Sequence, residues 1–395
     1  MCPQLSSGRS RRASILEDIL KITSRGRVLS GIALIGTSAL LLAGCAAAPE
    51  AEPADPSSSA GAEEPAASDF LPCMVSDSGG FDDKSFNQLG YEGLVEAAAA
   101  LGVEPNAVES KDETDYAPNI DSLVAAGCNL IVTVGFALSE ATVTAALANP
   151  DINFAIIDDA ADNDFDGTVD APNIKPILFD TSQAAFLAGY ASASYSTTGT
   201  IGTFGGIGYP TVTIFMDGFT QGALYYNEQK DADVKVIGWD PEDPENGGTF
   251  TGEFVANDGA KTVAANLIDA GADVILPVGG PIFQSAGAAI EDSGKDVALL
   301  GADADVYDTF PTYDSLYFTS VLKGIHEAVT DVVTTAGNGE FDVTPYIGTL
   351  ENKGVGIAPF HDFEDKVNPD LQGELDAITA DIISGDITVT SYLAG

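Results

Sequence analysis

Asp77, Phe86 and Asn87 lie close together in the stretch VSDSGGFDDKSFNQLGYEG. A carboxylate accepts hydrogen bonds, a phenylalanine ring offers a flat π face, and a primary amide both donates and accepts. Together they put an acid, an aromatic face and an amide at one sheet edge. Gly79 and Gly80 let the backbone turn tightly after Asp77, and Asp83 or Ser85 is placed to cap the helix that carries Phe86 and Asn87. Phe81 and Phe86 could instead staple that helix to the core.

Two further groups invite chemistry. Asp162, Asp164, Asp166 and Gly167, followed by Asp170, give DNDFDGTVDAPN the D-x-D-x-D-G spacing of a calcium loop. Asn173 stands where that loop would place a bidentate glutamate, and the flanks read as strands, so a solvated acidic loop competes with a structural calcium site. Cys73 and Cys128 each fall inside or at the start of a strand. A disulfide forms if the first and third strands are neighbours in an exported protein, and two buried free thiols are the alternative. Zinc finds too few cysteines, and His326 and His361 lie in unrelated segments. Catalysis finds no support: there is no G-x-S-x-G elbow and no H-E-x-x-H, and GTIGTFGGIG lacks the dinucleotide frame. No cofactor beyond the calcium is expected.

These residues need elements to position them. FLPCMVSD, CNLIVTVG, INFAIIDD, IKPILFD, TIGTFGG, VKVIGWD, DVILPVGG, VALLGAD and LYFTSVL read as short apolar strands. Segments of helical spacing separate most of them, such as NIDSLVAAG and DGAKTVAANLIDAG. Continuous apolar strands alternating with amphipathic helices predict an α/β fold of doubly wound parallel sheets. Right-handed crossovers then gather the loops at the strand C-termini along one edge, where ligands bind.

Charge narrows the partners. Of 395 residues, 60 are acidic and 16 basic, a formal charge of −44, which argues against nucleic acid. Near the amino terminus, basic residues precede the apolar run VLSGIALIGTSALLLAGC, the arrangement of an export signal. Its end, Leu42-Ala43-Gly44-Cys45, resembles a lipobox, which predicts cleavage after residue 44 and lipidation of Cys45. Residues 45–68 read as a flexible tether. Removing six basic and two acidic residues with the leader leaves 10 and 58, and every remaining basic residue is a lysine.

The stretch SDSGGFDDKSFNQLGYEG resembles the signature of the basic membrane protein family, bacterial surface lipoproteins that serve ABC transporters as purine-nucleoside-binding components. The likeness continues through FAIIDD (154–159), FLAGYAS (186–192), FMDGFTQGALYYN (215–227), DAGADVILPVGGP (269–281), GADAD (301–305) and TSVLKG (319–324). It implies a periplasmic-binding-protein type I architecture, two lobes joined by three crossings. Lobe 1 would take residues 69–180 and 319–350, lobe 2 residues 181–318 and 351–395. It also implies ligand-binding roles for Asp77, Phe86 and Asn87, for Asp158 at the purine edge, and for Phe254 as the opposing aromatic, with Phe215 its rival. Gly279 and Gly280 would pass close to the ligand, and Asp303 and Lys323 would hold the ribose hydroxyls. The expected protein is a monomeric, non-enzymatic carrier, lipid-anchored on the extracytoplasmic face of the cell membrane, that delivers a nucleoside to a permease. A sugar or signalling-ligand receptor on the same fold is the alternative binding role, and an enzyme or a surface antigen the competing class.

Overall fold

The computed structural model describes residues 69–244 and 246–393. The expected leader, Cys45 and the tether lie outside these residues. Twelve strands form two sheets of six. The first sheet holds β1 (Pro72–Val75), β2 (Asn106–Val108), β3 (Leu130–Val134), β4 (Asn153–Ile157), β5 (Ile174–Phe179) and, returning late in the chain, β11 (Tyr346–Gly348). The second holds β6 (Thr200–Gly205), β7 (Lys235–Ile237), β8 (Val274–Val278), β9 (Ala298–Asp303), β10 (Tyr317–Lys323) and β12 (Val355–Ile357).

The spatial orders are β11-β5-β4-β3-β1-β2 and β12-β10-β9-β8-β6-β7, so both lobes repeat one doubly wound plan. All pairings are parallel except that of β10 with β12. Helices cover both faces, which is why LIVTV of β3 and VILPV of β8 are buried at every position. On the outer faces Ile120, Leu123 and Phe154 pack in the first lobe, and Leu267, Phe283 and Tyr317 in the second.

Helices Thr181–Tyr195 and Pro210–Lys230 pack with their backbones touching. A Cβ on Gly189, Gly218 or Gly222 would fall 2.0, 2.3 or 1.9 Å from the carbonyl oxygen of Phe219, Ser182 or Phe186. The FLAGYAS and FMDGFTQGALYYN blocks are this helix pair.

The lobe boundary differs from the sequence expectation. Tyr317–Lys323 pairs with β9 in the second sheet, so the late segment of the first lobe starts after Lys323 rather than at 319. The reason is the register: β10 extends the doubly wound order of the second lobe by its fifth strand before the chain crosses. The crossings fall at Asp180, Gly324 and the turn between Gly348 and Val355, and they are tied to one another. Asp180 N donates to Gly348 O and Gly324 N to Gly354 O, both at 2.8 Å. Within the first lobe Cys73 and Cys128 form a disulfide, their Cα atoms 6.0 Å apart. It joins β1 to the turn that enters the neighbouring β3.

Candidate functional site

One cleft collects the C-terminal ends of strands from both sheets. Asp77 follows β1, Asp158 follows β4, Gly279 and Gly280 follow β8, Asp303 ends β9 and Lys323 ends β10. All of these line the cleft, together with Phe86, Asn87, Phe254 and Phe215. Ligands of doubly wound sheets bind at such strand ends, beside the point where strand order reverses.

Its centre is a buried ion triad. The Lys323 ammonium hydrogen-bonds Asp158 Oδ2 and lies 3.3 Å from Asp303 Oδ1. It also sits over the rings of Phe86 and Phe215, 5.1 and 5.0 Å from their centroids. Burial works against charge on Lys323, but Asp158 and Asp303 outweigh it and raise its pKa, so the ammonium persists. Burial pushes Asp158 up to about 6, with Lys323 pulling it down. Asp303 Oδ1 is buried and has the ammonium as its ion-pair partner, out of line for a strong hydrogen bond. Asp158 and Asp303 occupy the fourth strand end of each lobe, and both adopt left-handed backbone, φ 62° and 68°. Such conformations cost on the order of 1–3 kcal/mol and are held only where the surroundings impose them, characteristically at functional sites.

Asp83, rather than Ser85, caps the helix Phe86–Leu101. Its carboxylate accepts from the backbone N–H groups of Ser85, Asn87 and Gln88 at 3.0, 2.9 and 3.1 Å. The Asn87 amide donates to Asp77 Oδ1 at 2.7 Å and Asp83 Oδ2 at 3.0 Å, while its oxygen accepts from Asp77 N at 3.1 Å. Both amide protons are thus committed inside the protein, and Asn87 orients Asp77 instead of offering a free donor to the cleft. Phe81 stacks on Tyr91, centroids 4.8 Å apart, which leaves the cleft-facing ring of this stretch to Phe86.

The segment after Trp239 returns alongside β6. Gly205 N donates to Thr249 O, and Thr251 N to Gly205 O, each at 3.0 Å. Trp239 anchors the loop by donating to Asp217 at 2.7 Å and packing edge-on against Phe250. Phe254 is thereby laid across two glycines: a Cβ on Gly206 or Gly279 would fall 2.2 or 2.5 Å from its ring. Phe215 is only 1% exposed and forms the floor beneath Lys323, whereas Phe254 is half-buried on the cleft wall.

The cleft also holds residues that the sequence reading missed, among them Gly135, Phe136 and Tyr209. The available signal was an aromatic after the glycines that end a strand run, as in VTVGFA and FGGIGY.

The acidic loop lies elsewhere. Carboxylate oxygens of Asp162, Asp164 and Asp166 come within 4.8 Å of one another, and among the described residues this is the one such cluster. Asp170 is not part of it; its Oδ2 accepts from Asn163 N at 2.7 Å. Repulsion from Asp166, followed by partial desolvation, raises the pKa of Asp164.

The buried acids set an unusual pH dependence. Asp77, half-buried on the cleft wall, is also pushed up to about 6 by burial, against hydrogen bonds from Gly79 and Asn87. Between the ordinary carboxylate pKa and about 6, the folded chain binds more protons than the unfolded one at Asp77 and Asp158, so stability falls as pH rises through that window. Melting temperature is therefore expected to rise as pH falls from about 7 to about 5, by the equivalent of at most about 1 kcal/mol per acid, with water in the cleft keeping Asp77 below that. Relief of self-repulsion in so acidic a chain acts in the same direction. A melting curve that is flat or falls towards pH 5 would contradict the assignment.

Two doubly wound lobes, three crossings and a cleft lined from both sides define a periplasmic-binding-protein type I fold. The fold agrees with that of an ABC transporter solute-binding protein from Aeropyrum pernix, whose structure aligns with a TM-score of 0.72 at 23% identity, over 82% of this chain and 94% of that one. The family model for PnrA-like ABC transporter substrate-binding proteins, Bmp, matches residues 70–391, and the chain belongs to this family. The chain is 29% identical to the ABC transporter nucleoside-binding protein BmpA of Lactococcus lactis, over 92% of this chain and 99% of the relative. It is 27% identical to a CD4+ T-cell-stimulating antigen of Listeria monocytogenes, over 81% and 88%. The family comprises extracytoplasmic substrate-binding proteins that work with a membrane permease, not enzymes. Among the described residues no helix is long and apolar enough to cross a membrane.

Proposed function

We propose that the chain, anchored through a lipidated Cys45 and acting as a monomer, carries a purine nucleoside in its cleft to an ABC permease. The observation that carries this reading is the Asp303 carboxylate beside the Lys323 ammonium, in a cleft walled by Phe86 and Phe254 from opposite lobes. A vicinal diol supplies two adjacent hydroxyl donors to a carboxylate and accepts from a neighbouring ammonium. A flat base offers both faces to the two rings, each stack contributing about 1–3 kcal/mol by analogy with nucleic-acid binders. Asp77 and Asp158 then face the polar edge of the base, while Gly279 and Gly280 keep the backbone close.

A phosphorylated ligand fits poorly. The central ammonium is already held by two carboxylates, and Asp112, Glu113 and Glu253 outnumber Lys111 where the loops line the cleft. The printed name of the Lactococcus lactis relative points the same way. Calcium at Asp162, Asp164 and Asp166 would be structural, clear of the cleft.

Calorimetric titration of the ligand-stripped protein with adenosine, guanosine, inosine, uridine, ribose and AMP tests the reading. Purine nucleosides are expected to bind, uridine more weakly, and ribose and AMP not measurably. Absence of heat with every nucleoside, or ribose binding as tightly as inosine, would overturn it. For the anchor, incorporation of labelled fatty acid in cells should disappear in a Cys45→Ala chain.

A further inference from the structure

Phe136 and Tyr209 meet face to face across the lobes. Phe136 opens the short 3-10 turn Phe136–Leu138 after β3 in the first lobe, and Tyr209 caps the helix Pro210–Lys230 in the second. Their ring centroids are 5.0 Å apart with planes 28° from parallel. Tyr209 also packs at a tilt against Phe254 at 6.1 Å, and Phe254 in turn rests on Gly206 and Gly279.

Both rings grow from braced backbone. Gly135 N donates to Ile157 O and Leu138 N to Gly135 O, each at 3.0 Å. The Tyr209 carbonyl accepts from Val212 N and Thr213 N at 2.9 Å. The rings therefore travel with their lobes. They touch when the lobes close and part when they open.

We propose that Phe136 and Tyr209 form a clasp across the cleft, and that Tyr209 is a positioning residue which, on closure, fixes the Phe254 ring against the ligand. The positioning role rests on the nucleoside reading above; the clasp itself does not. Besides the buried Lys323–Asp158 ion pair, the direct contacts across the cleft include hydrogen bonds from Ser85 Oγ to Ala302 O and from Thr309 Oγ1 to Lys84 O, both 2.8 Å. Water replaces such bonds at small net cost when the lobes part. It does not replace an aromatic stack. The clasp therefore acts on escape of the ligand, which must pass through opening, more than on entry into the open form.

Stopped-flow release of inosine from the full chain tests this. Phe136→Ala and Tyr209→Ala are each expected to raise the release rate by about 3- to 10-fold, the worth of one aromatic pair. The double variant should release no faster than the faster single, because either change removes the same contact. Tyr209→Phe should release like the parent, and association rates should stay within about 2-fold.

A second measurement needs no ligand. Amide hydrogen exchange in Phe136→Ala should quicken at residues 302–305 of the opposite lobe, and in Tyr209→Ala at residues 83–88. Unchanged release rates, fully multiplicative effects in the double variant, or exchange confined to the mutated lobe would each overturn the clasp. If the parent binds no inosine, the nucleoside reading falls while the exchange measurement still decides the clasp.

Discussion

A Lys323→Met chain is expected to bind no nucleoside detectably and to lose about 3–5 kcal/mol of stability, the usual cost of removing one partner from a buried ion pair. Lys323 is 5% exposed, and its ammonium is the cation set between Asp158 and Asp303, themselves 5% exposed. Methionine fills similar space but leaves two carboxylates facing each other without a counterion. They must then take up protons or separate, so the loss of stability should shrink in acid. A second change, Asp158→Asn, should restore part of the stability without restoring binding, because it removes the stranded charge but not the missing donor. Urea denaturation of the three chains at about pH 5 and pH 7.5 checks each statement. Equal stability of Lys323→Met and the parent at neutral pH would mean that water reaches the triad freely.

Gly222→Val is the second large effect. The Cβ would stand 1.9 Å from the carbonyl oxygen of Phe186, and that oxygen belongs to helix backbone, not to a side chain able to swing aside. Overpacking that side chains can absorb costs about 1–3 kcal/mol, and here the helices themselves must separate, so more than about 3 kcal/mol is expected. Gly373→Ala supplies the control. Gly373 lies on the exposed face of helix Leu371–Ser384 with nothing within 4 Å of a new Cβ. That change should stabilise by about 0.5–1 kcal/mol through helix propensity alone. Thermal melts that rank the two variants in the opposite order would refute the close helix contact.

The long strands were legible because each ends in a sharp change of chemistry, whereas most of the residues at their ends were singled out through the family resemblance. An apolar run that stops at an acid or a paired glycine, as at Val75, Ile157 and Val278, signals a buried strand followed by a strand-end loop. β2, β11 and β12 were not picked out. Each is three residues long and largely half-buried, so neither alternation nor a continuous apolar run has room to show.

The boundary at 319 failed for a related reason: TSVLKG marks the end of a strand without saying which sheet it joins. Asn87 was legible as a polar residue near the cleft, but its commitment to Asp77 and Asp83 depends on side-chain geometry. Phe136 and Tyr209 went unnoticed because a lone aromatic after a glycine is common, and only the approach of the lobes makes them a pair. The FLAGYAS and FMDGFTQGALYYN blocks, conspicuous as text, owe their small residues to a helix contact. They describe scaffold more than ligand.

The lysine at the end of β10 sits one residue before a crossing, with Asp303 on the adjacent strand of its own sheet and Asp158 on the other lobe. Swinging the halves apart leaves the first spacing intact and stretches the second. Opening would therefore separate a buried ion pair as well as the Phe136–Tyr209 rings, and the parted ions must be hydrated. A permease that pries the lobes open would thus expel its cargo by wetting the seat beneath it, and transport should slow when water activity is lowered.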